Sequence, residues 1–284
     1  MKLSISRFMR VSLGALLLCV AQFALAQVAT VFQMTGTAQA VPGAGAARAL
    51  RTGDAVNQGD TVVTGDMSTL VLRFGDGHVA ALSGKSRMTI TTFEYNRADA
   101  TKSNVLLSLL EGGMRAVTGL IGKANPQKVA YRASNATIGI RGTDVNIATA
   151  AGLVAVTVND GLVTFQLPGQ PPVSIPAGQG LIKRPDGTVR SAPAAQIIAA
   201  LRAEAATATA AANAPGATQE QKDAAAAQAA ALNTMVSALN TSTSTSITDG
   251  ITKAAAVAAA PPTPPAPPKP PVPPPVGGKG ASPS

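Results

Sequence analysis

An all-β fold is predicted for most of this chain, and three observations predict it. Glycine-aspartate turns recur at short intervals, at Gly53-Asp54, Gly59-Asp60, Gly65-Asp66 and Gly75-Asp76-Gly77. Apolar residues between the turns alternate with period two, and no helical periodicity intervenes before about residue 190. Short strands at such spacing indicate a sandwich, a barrel or a solenoid. Composition chooses among them. The chain has no Trp and only two Tyr, so a thin stack filled by Val, Ile, Leu and Ala is expected. That describes an irregular β-solenoid-like domain of many short strands better than a wide aromatic core.

The chain opens on an export signal. Lys2, Arg7 and Arg10 form a positive n-region, Val11 to Ala21 an apolar h-region, and Ala24-Leu25-Ala26 a small-residue cleavage site. Residues 1–26 are therefore read as a signal peptide cut between Ala26 and Gln27. The h-region is shorter than the ~20 residues of a membrane-spanning helix. Leu18, standing before Cys19 where lipoprotein processing needs a small residue, argues against a lipid anchor. Cleavage removes Cys19, the only cysteine, so the mature chain forms no intramolecular disulfide. It also removes Lys2, Arg7 and Arg10, which lowers the formal net charge from +9 to +6. The remaining cations are dispersed, so they read as solvated surface and not as a nucleic-acid footprint. The expected compartment is the periplasm or the exterior, with no stable membrane span after cleavage.

Residues 27–190 form the predicted β-domain. In Leu70-Val71-Leu72-Arg73-Phe74 the leucines and Phe74 share one face and Arg73 takes the other. Val154, Val156 and Val158 alternate with Ala155 and Thr157, and Val129 and Tyr131 with Ala130 and Arg132. Residues 191–260 are an Ala-rich helical extension. Pro193 suits a first helical turn, and Ile197, Ile198 and Leu201 begin an apolar stripe. Ala214-Pro215-Gly216 stops that helix, and Thr218 with Gln221 forms a capping box for the next. Ala225, Ala229, Leu232, Met235, Val236 and Leu239 share its apolar face. Thr241 to Ser246 reads as a linker and Lys253 to Ala260 as a further short helix. The two long helices either pack on the β-domain as a hairpin or stay loosely attached. Residues 261–284 form a Pro-rich tail, with eleven prolines between Pro261 and Pro275. Such a run has few backbone donors and a fixed φ, so it favours polyproline II; Gly277 to Ser284 should be disordered.

Residues able to carry chemistry are sparse. His78 is the only histidine, and with no cysteine beside it a transition-metal site lacks ligands; it reads as a surface residue at a strand edge. Asp54, Asp60, Asp66 and Asp76 read as turn caps, since their spacing matches no calcium loop. Gly119-Leu120-Ile121-Gly122-Lys123 misses phosphate-loop spacing, and Ser83 and Ser86 have no His–Asp arrangement. Arg141-Gly142-Thr143-Asp144 reads as a bulge or corner in which Gly142 bends the chain and Arg141 pairs with Asp144 or a carbonyl. No catalytic residue, cofactor or metal is predicted.

The ordered set of turns resembles the periplasmic domain of the FecR family. Gly59-Asp60-Thr61-Val62-Val63-Thr64-Gly65 is similar to that family's opening turn, and Leu70 to Gly77 to its strand ending in Asp76-Gly77. Arg141-Gly142-Thr143 resembles its Arg-Gly-Thr signature, Val154 to Val163 its closing hairpin, and Ile175 to Leu181 its final turn. The resemblance spans most of residues 28–185. It implies a domain that senses a loaded outer-membrane ferric siderophore transporter and signals through a membrane helix to a sigma factor. Neither a membrane helix nor a cytoplasmic part is expected here, so the outer recognition module is what carries over. The expected function is non-enzymatic binding of another envelope protein, in signalling or assembly. The alternatives are tethering to peptidoglycan or another glycan, and siderophore signalling itself. Sugar platforms use aromatic faces, which this chain nearly lacks.

Overall fold

The computed structural model describes residues 27–259. The expected signal peptide with Ala26, and the Pro-rich residues 261–284, lie outside the described residues. Fifteen strands pair into one open sheet: β1 (Gln27–Thr35), β2 (Ala38–Val41), β3 (Arg48–Ala49), β4 (Ala55–Asn57), β5 (Thr61–Thr64), β6 (Thr69–Phe74), β7 (Val79–Leu82), β8 (Arg87–Glu94), β9 (Asn104–Val117), β10 (Val129–Ala133), β11 (Ala136–Ala150), β12 (Leu153–Gln166), β13 (Val173–Pro176), β14 (Gln179–Lys183) and β15 (Val189–Pro193). The main path runs β15-β14-β12-β11-β10-β9-β7-β6-β1-β4. A branch leaves β9 through β8, β5, β2 and β3, and β13 flanks β12. Four helices accompany the sheet: α1 (Leu120–Ala124), α2 (Ala194–Ala212), α3 (Gln219–Ser242) and α4 (Thr245–Ala259).

The all-β expectation holds, with a different architecture from the coils anticipated. Stacked solenoid coils pair their strands in parallel, but here the only parallel ladder described is β9 with β10, and the rest are antiparallel. Three strands are also long, β9 with 14 residues, β11 with 15 and β12 with 14. Each bends at glycine near its middle: β9 at Gly112-Gly113, β11 at Gly142 and β12 at Gly161. The inward parity flips across every bend. Val105, Leu107 and Leu109 precede Met114 and Ala116; Ile138 and Ile140 precede Val145 and Ile147; Val154, Val156 and Val158 precede Val163 and Phe165. A β-bulge inserts one residue and so restores the inward face after a bend. Both halves of all three strands therefore feed one hydrophobic core.

The bends are held by short-range bonds. The Ser86 hydroxyl accepts from the Gly113 N–H at 2.9 Å and donates to the Gly113 carbonyl at 3.1 Å. Ser83 and Thr64 complete that buried cluster, so both serines singled out by sequence are structural. At the β11 bend, Thr118 Oγ accepts from the Thr143 N–H at 2.9 Å and donates to its carbonyl at 3.0 Å.

The helices cover one half of the sheet. Ala148, Ala150, Leu153, Ala155 and Ile182 face outward from the main core and are buried beneath Ile197, Leu201, Leu232, Met235 and Leu239 of α2 and α3. Val71, Val79 and Ala81 are covered by Ile247, Ile251 and Ala254 of α4. The approach is close because the strand residues are small. A Cβ on Gly113 would collide with Ala238 of α3, and one on Gly180 would lie 3.1 Å from Ile197 of α2. The capping box of Thr218 and Gln221 is present at the start of α3. Pro193 instead ends β15 and serves as the N-cap of α2, since its backbone is extended. The linker expected over Thr241–Ser246 shrinks to Thr243 and Ser244: α3 runs to Ser242 and α4 starts at Thr245, ahead of the Lys253 start expected. Among the described residues no helix is long and apolar enough to cross a membrane.

Candidate recognition surface

The Arg-Gly-Thr-Asp segment divides within four residues into an exposed part and an internal part. Gly142 adopts φ +57° at the bulge, with open space where a Cβ would stand. Its neighbour across the ladder is tighter: a Cβ on Gly161, at φ +82°, would collide with the Gly142 carbonyl and lie 2.9 Å from that of Arg141. Thr143 is buried against Thr118. Asp144 does not pair with Arg141. It accepts a two-pronged contact from Arg115 of β9, 2.9 Å from Nε and 2.6 Å from Nη2, plus 3.1 Å from the Asn159 amide. Arg115 also donates to the Ser242 carbonyl at 3.2 Å and the Thr248 hydroxyl at 2.9 Å. One guanidinium thus fastens the β11 bulge to the junction of α3 and α4. The sequence hid this pairing because Arg115 lies 29 residues from Asp144 and 127 from Ser242.

Arg141 is left exposed, with no carboxylate partner among the described residues. It borders a shallow groove of about 240 Å³ with Gln127, Thr137, Gly139, Thr164 and Gln166. Thr137, Arg132 and Gln166 are exposed on the same half of the sheet, away from the apolar faces under the long helices.

Of the other family positions the two aspartates are internal, while Gly59 is exposed and Gly77 half-buried. Gly59, at φ +87°, turns into Asp60, whose buried carboxylate accepts from the Asn57 N–H at 3.0 Å and from Arg48 at 2.8 Å. Asp76 is likewise buried; one oxygen accepts from the His78 N–H at 2.9 Å and the other from the Ile121 N–H at 3.3 Å. Gly77, at φ +81°, permits that turn.

His78 is not on the surface. It is fully buried, edge-on to Phe74 at 5.3 Å and beside Tyr131 at 5.8 Å. Its Nε2 lies 3.4 Å from the Tyr131 hydroxyl, and its Nδ1 has no partner among the described residues. Burial holds its pKa below the ordinary 6.5 and outweighs the opposing pull of Asp76. The Tyr131 hydroxyl is pushed upward, by burial first and by Asp76 second. Among the described residues no group of three or more His, Cys, Asp or Glu gathers as a metal site.

A larger cleft of about 520 Å³ opens at the β6–β7 turn, with Gln27, Thr30, Arg73, Tyr95, Arg97 and Leu120 around it and Val257 of α4 as a further wall. Arg73 lies over the Phe32 ring and Arg97 over the Tyr95 ring, each at 5.9 Å. Neither guanidinium has a carboxylate partner among the described residues.

Residues 60–164 match the family described as FecR protein, a narrower span than the 28–185 anticipated. Two crystal structures of a proposed anti-sigma factor from Parabacteroides distasonis are similar. One is 17% identical with a TM-score of 0.39, covering 47% of this chain and 59% of that one. The other is 14% identical with a TM-score of 0.39, covering 51% and 64%. The chain thus spans less than two thirds of either. No protein of curated function matches it.

Proposed function

With a FecR-family segment at residues 60–164 as the premise, we propose that the chain is an exported, non-enzymatic recognition module that binds another envelope protein in signalling or assembly. The observation that carries this reading is Arg141. Its neighbours Gly142, Thr143 and Asp144 are bound up in the bulge and the Arg115 clamp, while Arg141, with no carboxylate partner among the described residues, stands beside a groove that mixes apolar residues such as Pro126 and Ile140 with hydroxyl and amide side chains. A guanidinium presents a rigid fork of donors suited to a carboxylate or to exposed carbonyls, and arginine is enriched at protein interfaces. The reading of the motif as wholly structural gives way to this division of roles. Glycan tethering fares less well, because Tyr131 is fully buried and only Tyr95 of the two tyrosines offers any ring to solvent. The export signal, with cleavage between Ala26 and Gln27 and release into the periplasm or exterior, belongs to the same proposal.

The test compares wild type with Arg141→Ala in two captures, one from envelope extract and one on isolated cell-wall sacculi. A specific envelope protein retained by wild type and lost with Arg141→Ala, at unchanged melting temperature, supports the proposal. Retention on sacculi by both variants overturns it in favour of wall tethering. Capture unaffected by the substitution removes Arg141 from the surface.

A further inference from the structure

The cleft at the β6–β7 turn has a composition that the recognition surface does not explain. Of the five large apolar side chains exposed among the described residues, two stand at its rim, Leu120 at 54% and Val257 at 51%. The Tyr95 ring lies beside Gly75, close enough that a Cβ there would touch it at 3.9 Å. Arg73 and Arg97 contribute only donors, and each lies over an aromatic ring, Phe32 and Tyr95 respectively, at 5.9 Å. The one carboxylate in the wall, Asp76, already accepts from the backbone N–H groups of His78 and Ile121. The cleft therefore offers an aromatic ring, aliphatic contacts and free donors.

A polyproline strand is complementary to that set. Each proline lacks an N–H, so such a strand presents mainly carbonyl acceptors and ring surfaces, and aromatic-lined grooves with donors are how it is recognised. The chain carries such a segment immediately beyond the cleft: α4 ends at Ala259, its Val257 already forms the wall, and eleven prolines occupy residues 261–275. At ~3.1 Å per residue the segment is long enough to cross the cleft without a spacer. Attachment four residues beyond the wall residue Val257 makes docking intramolecular, so a weak contact suffices.

The geometry points to residues 261–275 of this same chain as the occupant of the cleft lined by Arg73, Tyr95, Arg97 and Val257.

The test uses the full chain, isotopically labelled, against a full-length variant with serine at the eleven proline positions of residues 261–275. Amide shifts should differ at Gly75, Gly77, Tyr95, Arg97 and Leu120, and remain unchanged around Arg141. Adding a free peptide of residues 261–275 to the serine variant should restore the wild-type shifts, and Tyr95→Ala in the serine variant should prevent restoration. Identical spectra for wild type and serine variant overturn the proposal. So do differences that vanish on dilution, which would assign the contact to the segment of a second copy. Restoration by a peptide of residues 1–26, the sequence just before Gln27 in the cleft wall, would overturn it in favour of that segment.

Discussion

The two halves of β11 are made from one continuous strand, yet they meet different surroundings. Before the bulge, Thr137, Gly139 and Arg141 face out, and Thr137 and Arg141 are exposed. After it, Asn146, Ala148 and Ala150 face out, and all three are buried, the alanines under α2 and α3. The inward residues of both halves enter the same core. What differs is the size and polarity of the outward side chains. Alanine and glycine let a helix backbone approach and bury it at little entropic loss, whereas threonine and arginine keep their hydration and stay bare. The covered and uncovered stretches thus differ in side-chain size and polarity, and Asp144 sits at their border, where Arg115 fastens the helix junction to the sheet.

The most severe way to break this contrast is to remove the cover. A chain ending at Arg190 loses Ser191–Pro193 of β15, which pair with Gln179–Leu181, and exposes the buried faces of Ala148, Ala150, Leu153, Ala155 and Ile182. Thermal unfolding followed by circular dichroism should lose its cooperative step or fall by more than 10 °C, and the protein should aggregate. An intact melt would show that the helices are dispensable.

Next in size is the bend itself. Gly161→Val combines a positive φ with a backbone collision at Arg141 and Gly142, so on the order of 4 kcal/mol is expected. Gly142→Val meets open space and suffers from its φ alone, roughly 1–2 kcal/mol. Urea titrations of both variants test the ranking; equal losses would refute the steric argument.

Arg115→Met sharpens the border. It leaves Asp144 with Asn159 alone and frees the Ser242 carbonyl, which should lower stability by about 2–3 kcal/mol. Limited proteolysis should then cut first at Thr243–Ser244 while the β-core persists. Cutting elsewhere would separate the clamp from the helix junction.

The pH response is smaller. His78 has a folded pKa below its unfolded value near 6.5, so the unfolded state binds the extra proton as pH falls through that value. Stability should be full above about pH 7 and decline as the pH drops below 6.5. His78→Phe should flatten that slope; an unchanged slope would place the acid sensitivity elsewhere. Least of all, Arg141→Ala should alter stability by under about 0.5 kcal/mol, since an exposed, unpaired arginine contributes little to folding.

Much of this was legible beforehand. The β class, the turn glycines at positions 53, 59 and 77, the inward valines of β12 and the Thr218–Gln221 cap all follow from local rules, because turn φ, period and capping act within a few residues. Even the bends were partly written. The apolar parity reverses at Gly112-Gly113, Gly142 and Gly161, and of these only Gly142, as a corner, and Gly161, within the Val154 to Val163 hairpin, stand out from local rules.

What only the tertiary structure decided were choices between equivalent local options. Local pattern cannot tell coils from hairpins, because both alternate with period two; pairing partners across dozens of residues separate them. Nor can it say that Ala155 is covered while Thr137 is bare, since that depends on where helices forty or more residues later come to rest. His78 was placed outside because a lone histidine is usually solvated, yet Phe74 and Tyr131 enclose it. Asp144 chose Arg115 over Arg141 because its carboxylate lies on the buried side of the bulge, within reach of β9. Side chains reveal their spacing in sequence, but burial and charge pairing are settled by what the rest of the chain brings to the other side.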